Sequence, residues 1–398
     1  MLVKQYIFIT FFLLGLLIYP FVYWLPASIP FEIPRVFFIQ RWIELVALTG
    51  IILLFPYLKK ERIDKLLIFL AIIFFAVTII ASVLGPDVLK SVGGNLYRGD
   101  GLVTLAHLVA LSFVVALFIR KTWFVSVVYS ISLAAAGISA WAVYDSLSLY
   151  FLKNQSVYNW DGAIATSFGN PNFLAGYLLV TLPLLYFLWG TTSKQSTKKF
   201  WLIVIGMQMI AILLTFAWAG AFGILTFFLI SFVLNKTKRK ILFISLIILA
   251  LLSLGLFFKA QKQKEAVPDR LIAEGRQRIF TKGILAFRER PFLGWGWANF
   301  DYAFESVDWP IAIKDDVYVD KAHSTFLEVL VTSGIVGFTL YLALIARILM
   351  NLWTNNTPIS RAFLVSFLLY VIHSQTNVIS IAEEVVFWII LGFSAKST

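Results

Sequence analysis

LLIFLAIIFFAVTIIASVL, residues 66–84, runs for nineteen positions without a charge. As an α-helix it is roughly 28 Å long at 1.5 Å per residue. That matches a bilayer core of about 30 Å. Working outward, eleven further apolar runs are read as spans, at approximately 6–25, 39–57, 102–119, 123–143, 172–190, 200–216, 219–234, 240–258, 329–349, 361–378 and 382–395. The hairpin 200–234 is the weakest, because only Phe216-Ala217-Trp218 separates its runs. The expectation is an all-α integral membrane protein of about twelve transmembrane helices with one long outward-facing loop that contains short helices. Residues 1–398 form a single polytopic domain, and 259–328 an extracytoplasmic insertion.

Composition agrees. Apolar residues make up 60% of the 398 and charged residues 14%, against about 25% charged in soluble chains. Mean hydropathy is +0.87. A cytosolic globular enzyme, a disordered chain and a nucleic-acid-binding module are excluded. Cysteine is absent and there are three histidines, so thiolate chemistry is excluded and a His-rich metal site is not expected. The run 6–25 reads as a retained signal anchor, since Pro26-Ala27-Ser28 is a poor cleavage site.

The +12 net charge is mostly topological. Seventeen Lys/Arg fall in one set of short connections and ends, five in the other. Basic residues collect in cytoplasmic loops, so both termini are expected in the cytoplasm and the long loop outside. Within that loop, residues 259–290 carry nine basic and four acidic residues, and 291–322 carry two and six. Either the basic half binds an anion or the two halves pair.

Four segments carry candidate chemistry. In PDRLIAEGRQRIFTKGILAFRERPFLGWGWANF, 268–300, Asp269 opens a helix that Pro291 ends. Its plain reading is an amphipathic helix on the membrane surface. The sharper one turns Arg276 onto a diphosphate, which a guanidinium fork suits. In KAHSTFLEVLVTSGIVG, 321–337, His323 sits near the mouth of a span. It is either an interfacial histidine or a general base. In ATSFGNPNFLAGYLLVTLPLL, 165–185, Asn170-Pro171 fits N-cap and N1, and Asn172 could donate to a sugar or phosphate. In GNLYRGDGL, 94–102, Arg98 either snorkels to headgroups or binds an anionic substrate. Glu44 and Glu328 are intramembrane carboxylates, candidates by position, although Glu44 has Arg41 one turn away. His107 and His373 read as helix–helix contacts. Asp315, Asp316 and Asp320 read as a solvated loop face rather than a cation site.

In this order the segments resemble the O-antigen ligase / O-antigen polymerase superfamily of bacterial inner-membrane glycan transferases. The resemblance rests on Arg98 with Gly101, on Phe168-Gly169-Asn170-Pro171-Asn172, on Gly275-Arg276 with Pro291, Gly294 and Gly296, and on His323 with Phe326-Leu327, Gly334 and Gly337. It implies transfer of a glycan from an undecaprenyl-diphosphate carrier to a hydroxyl acceptor, without metal, cofactor or nucleotide sugar, and with inversion. The acceptor is a lipid A core sugar, a growing glycan or a protein. His323 would be the base and Arg276 the diphosphate ligand. Arg98, Arg270, Arg278, Arg288, Asn170 and Asn172 are the candidate substrate contacts. One departure stands out. Where the family carries Thr-x-Ser-Arg-Gly-Ala, this chain has Thr215-Phe216-Ala217-Trp218-Ala219-Gly220-Ala221, so Trp218 replaces an arginine. Arg98, Arg270 and Arg278 are the possible substitutes. The alternatives are a transporter or flippase of lipid-linked saccharide and a peptidoglycan-type glycan polymerase.

Overall fold

The computed structural model describes residues 2–55, 63–152, 159–160, 163–235, 273–308 and 318–396. Among them are fourteen α-helices: α1 Leu2–Ile18, α2 Glu32–Leu54, α3 Lys65–Val83, α4 Val88–Gly93, α5 Leu102–Phe118, α6 Phe124–Leu152, α7 Pro171–Thr191, α8 Gln195–Leu214, α9 Trp218–Asn235, α10 Ala273–Glu289, α11 Phe300–Ser306, α12 Thr325–Asn355, α13 Pro358–His373 and α14 Ile381–Ala395. Two-residue strands at Asn159–Trp160 and Ala163–Ile164 pair as a small antiparallel turn. Seven helical segments are long and apolar enough to cross a bilayer, with shorter apolar helices at Leu102–Phe118, Trp218–Val233 and Pro358–His373. Eleven of the twelve expected runs fall on helices, while 240–258 lies outside the described residues.

The boundaries have local causes. Pro20 turns the end of the first run into a 3-10 turn, Tyr19–Phe21. The second helix starts at Glu32, seven residues before the apolar run, because Glu32 and Arg35 neutralise each other at 2.5 Å. Arg35 is fully buried and also donates to the Ser167 carbonyl at 2.6 Å. The doubtful hairpin is two helices. Between α8 and α9 the Thr215 hydroxyl accepts from Ala217 N at 3.2 Å, and Phe216 takes φ +52°.

Paired α3 and α12, α7 and α13, and α5 and α14 form the packed interior. Buried polar groups tie each end. At one end Asp64 caps α3 and accepts from Arg347 Nε and Asn351 Nδ2, each at 2.6 Å. Its backbone N–H donates to the Ala395 carbonyl at 2.9 Å. At the other end Glu383 completes a capping box with Ser380 at the start of α14 and meets His373 at 2.9 Å. This pairing is the helix–helix contact expected of His373. His107 likewise meets Glu44 at 2.9 Å, and Arg41 reaches the same carboxylate at 2.6 Å.

One break matters for the site. Gly334 interrupts α12 with φ 65° and ψ −172°. The segment after α10 fills the gap, with Trp295 N donating to the Val331 carbonyl at 3.0 Å, Gly296 N to Thr332 O at 2.8 Å and Ile335 N to Pro291 O at 2.8 Å. Groups that a kinked helix would leave orphaned are thereby satisfied. A side chain at 334 would collide with the Phe292 carbonyl. Gly334→Ala is expected to cost at least the roughly 1–3 kcal/mol of such backbone strain, read as a lower midpoint of thermal unfolding in detergent; an unchanged midpoint would contradict the kink's role.

Candidate functional site

The described residues enclose a cavity of about 130 Å3 at the α14 N-terminal end of the bundle. His323, Arg98, Lys321, Glu328 and Glu384 give it a polar wall, and Phe74, Leu105 and Leu108 an apolar one. It is therefore amphipathic, as a site for a charged group on a lipid must be.

Two loops build the polar wall. The first precedes α5, where Gly94 takes φ +87° and any side chain would strike the backbone at Asp100 and Gly101. The chain folds back here, and Asn95 N donates to Asp100 Oδ1 at 3.1 Å. The second loop is 318–324. Lys321 inserts between Asp100 and Glu328, reaching Glu328 Oε1 at 3.2 Å. Burial opposes the Lys321 charge, but those two carboxylates outweigh it and hold the ammonium above its ordinary pKa. Arg98 forks onto Asp320, Nε to Oδ2 at 2.5 Å and NH2 to Oδ1 at 3.2 Å. Burial again works against the charge, and the Asp320 hydrogen bond and charge more than restore it. The Arg98 guanidinium also lies 5.6 Å from the Phe173 ring centroid, which brings the Asn-Pro-Asn segment to the same wall.

His323 follows this clamp in a left-handed conformation, φ +54°. That is costly for a non-glycine residue, and its surroundings hold it there. Ser324 caps α12, its hydroxyl donating to Gln375 Oε1 at 2.9 Å. Phe326 N donates to the same oxygen at 3.2 Å, and Thr325 N to the Ser374 carbonyl at 2.8 Å. The imidazole's pKa is lowered, first by burial and then by the positive charge of Arg276; Asp320 pulls it up and Arg98 down. The ring is therefore neutral at pH 7, the form that can accept a proton.

The other sequence candidates are spread out. Arg276 is exposed on α10, within electrostatic reach of His323. Arg278 stacks on Phe304 at 5.1 Å, beside Lys282 at 4.1 Å from the same ring. Arg288 is exposed in the last turn of α10. It lies roughly 18 Å along the axis from Arg276 at 1.5 Å per residue, too far to share one phosphate. Asn170 caps α7, accepting from Asn172 N at 2.8 Å. Trp218 is exposed at the start of α9 against Phe222. Arg270, Asp315 and Asp316 lie outside the described residues. Asp320 is not a solvated loop carboxylate, since it holds Arg98. Asp301 of the acidic half likewise pairs with Lys90. Acidic residues of 291–322 thus meet cations outside the loop.

Sequence reasoning passed over Lys321, Glu32 and Glu384. Glu384 accepts from Tyr370 OH at 2.7 Å and Trp388 Nε1 at 3.1 Å. The signal was there in Glu383-Glu384, two carboxylates inside an otherwise apolar run. In 15N NMR of the histidines, His323 is expected to titrate below 6.5, and Arg276→Ala to raise that midpoint by removing a cation. By the same sign, unfolded chains bind more protons at this site. Its stability contribution is complete above about pH 6.5 and lost as pH falls towards the folded pKa. A His323 midpoint above 6.5 would sink both statements.

Residues 207–342 match the family model described as O-antigen ligase. The matched stretch includes α9 to the first half of α12 and therefore Trp218, Arg276 and His323. Arg98, Asn170 and Asn172 lie before it. No curated protein matches the chain. A domain of this family implies lipid-linked glycan transfer by an integral membrane enzyme of the bacterial envelope.

Proposed function

We propose, taking the O-antigen ligase match at residues 207–342 as premise, that this protein moves a glycan from an undecaprenyl-diphosphate carrier to a hydroxyl of a glycan, glycolipid or protein. The reaction is placed on the outer face of the inner membrane, with both termini cytoplasmic and 259–328 as the extracytoplasmic insertion. The ends of the bundle support that arrangement. Asp64, Arg347 and Ala395 meet at one end, where the basic excess puts the cytoplasm. His323 and the start of α14 belong to the other.

The observation that carries the reading is a neutral histidine, held in a strained loop on the wall of an amphipathic cavity, with arginines around it. In the proposed step the acceptor oxygen forms a bond to the anomeric carbon, and its proton passes to His323. The bond from that carbon to the diphosphate oxygen breaks, and the electron pair leaves with undecaprenyl diphosphate. Attack from the face opposite the leaving group inverts the centre. Arg276 holds the diphosphate, where negative charge grows in the transition state, so its contribution falls on the rate rather than on substrate binding alone. Of the remaining candidates Arg98 faces the cavity, Arg278 and Arg288 add positive field along α10, and Asn170 presents Asn172.

The test is transfer in proteoliposomes holding an undecaprenyl-diphosphate-linked glycan and a panel of acceptors, with and without EDTA. Wild type is expected to transfer in both conditions. His323→Ala and Arg276→Ala are expected to lose at least about 100-fold, the lower range for a catalytic acid–base group. Movement of the intact donor across the bilayer without transfer would replace this reading with a transporter.

A further inference from the structure

The proposed donor poses a charge problem. A departing lipid diphosphate carries at least about two negative charges, and Arg276 is an exposed side chain on α10. A second cation facing the cavity is needed. Lys321 is already committed between Asp100 and Glu328. Arg98 lines the cavity, and its two forked nitrogens are spent on a single carboxylate, Asp320. A fork that accepts a carboxylate in two parallel hydrogen bonds has the geometry to accept two phosphate oxygens. The pair is not sealed off, with side-chain exposures of 20% for Arg98 and 16% for Asp320.

Resting on the transfer reading above, we propose that Asp320 is a built-in stand-in for the donor's diphosphate, seated on Arg98 until the donor displaces it. Arg98 then becomes the second diphosphate ligand. Asp320, three residues before His323, is released beside the imidazole. The exchange conserves pairing. Before binding, Arg98 neutralises Asp320. After binding, Arg98 neutralises phosphate, and the freed carboxylate faces the imidazolium that forms when His323 takes the acceptor proton. Asp320 is thus a positioning residue that links an occupied donor site to a more basic His323. The groups bearing on the ring are Arg276 from α10, Arg98 from the loop before α5, and Asp320 from its own loop. Lys321, Glu328 and Glu384 share the cavity wall.

The experiment measures binding of undecaprenyl diphosphate to the full chain in nanodiscs, so it does not depend on transfer. Four proteins form a cycle: wild type, Arg98→Gln, Asp320→Asn and the double variant. Arg98→Gln is expected to weaken binding at least 10-fold. Asp320→Asn is expected to tighten it about 3- to 10-fold, since the competitor is gone. The double variant should match Arg98→Gln, because the gain exists only while Arg98 is present. Arg98→Lys keeps the charge but not the fork, so it should fall between wild type and Arg98→Gln and guards against misfolding of the Gln variant. The His323 titration, followed by 15N NMR, should rise on adding undecaprenyl diphosphate, and rise less in Asp320→Asn.

Three results would overturn the proposal: Arg98→Gln binding like wild type, Asp320→Asn binding more weakly, or Asp320→Asn tightening equally without Arg98. The last would mean simple charge repulsion. The two readings fail separately. A cycle that behaves as described in a protein that transfers nothing would retire the transferase and leave the exchange. Transfer that depends on His323 with a flat cycle would retire the exchange alone.

Discussion

Lys321, buried between Asp100 and Glu328, joins the loop before α5 to the start of α12. Removing Lys321 would leave both carboxylates without their shared cation, a cost of several kcal/mol. The other parts of the site are arranged around that bond. It presses 94–101 against 318–324, brings Arg98 to Asp320, and sets the backbone that turns His323 into the left-handed region. Trp297 reinforces it, donating to the Asp100 carbonyl at 2.9 Å. The positions come from three separate stretches of chain, so no local propensity produces them.

The same economy of pairing runs through the bundle. Glu32 satisfies Arg35 and, with its second oxygen, accepts from Ile381 N at 3.1 Å. It therefore neutralises a buried cation and caps α14 at once. Asp64 does the equivalent at the opposite end. A membrane interior offers no water to unpaired groups, and Glu32 and Asp64 each double as a cross-link between helices. At the cavity, Arg98 is paired with Asp320 and Glu384 is held by two neutral donors.

Much of the fold was legible as hydrophobic run length. The span at 66–84 coincides with α3 to within one residue at each end. Departures occur where polar residues enter helices. At the start of α2, Glu32 is neutralised by Arg35 one turn on and accepts from the distant Ile381 N. The extension of α6 to Leu152, through Asp145, is another departure. The site was half legible. His323 and Arg276 carry recognisable residue types on the outward loop, whereas Lys321 and Glu384 look like an ordinary loop lysine and an ordinary helix-cap acid until their neighbours are known.

By itself the sequence determined that the chain is a many-helix membrane protein, and it supplied the proposed cytoplasmic end and the candidate histidine and arginine of the long loop. These follow from composition, charge asymmetry and local motif, properties that need no knowledge of distant contacts. Only the tertiary structure decided that Arg98 rather than Arg278 faces the cavity, that Asp320 occupies its fork, and that the loop after α10 fills the break at Gly334. The reason is physical: a guanidinium's role is set by the anion it meets. Those partners lie 222 residues apart for Arg98 and Asp320, a separation at which only the folded packing of the helices selects the pair.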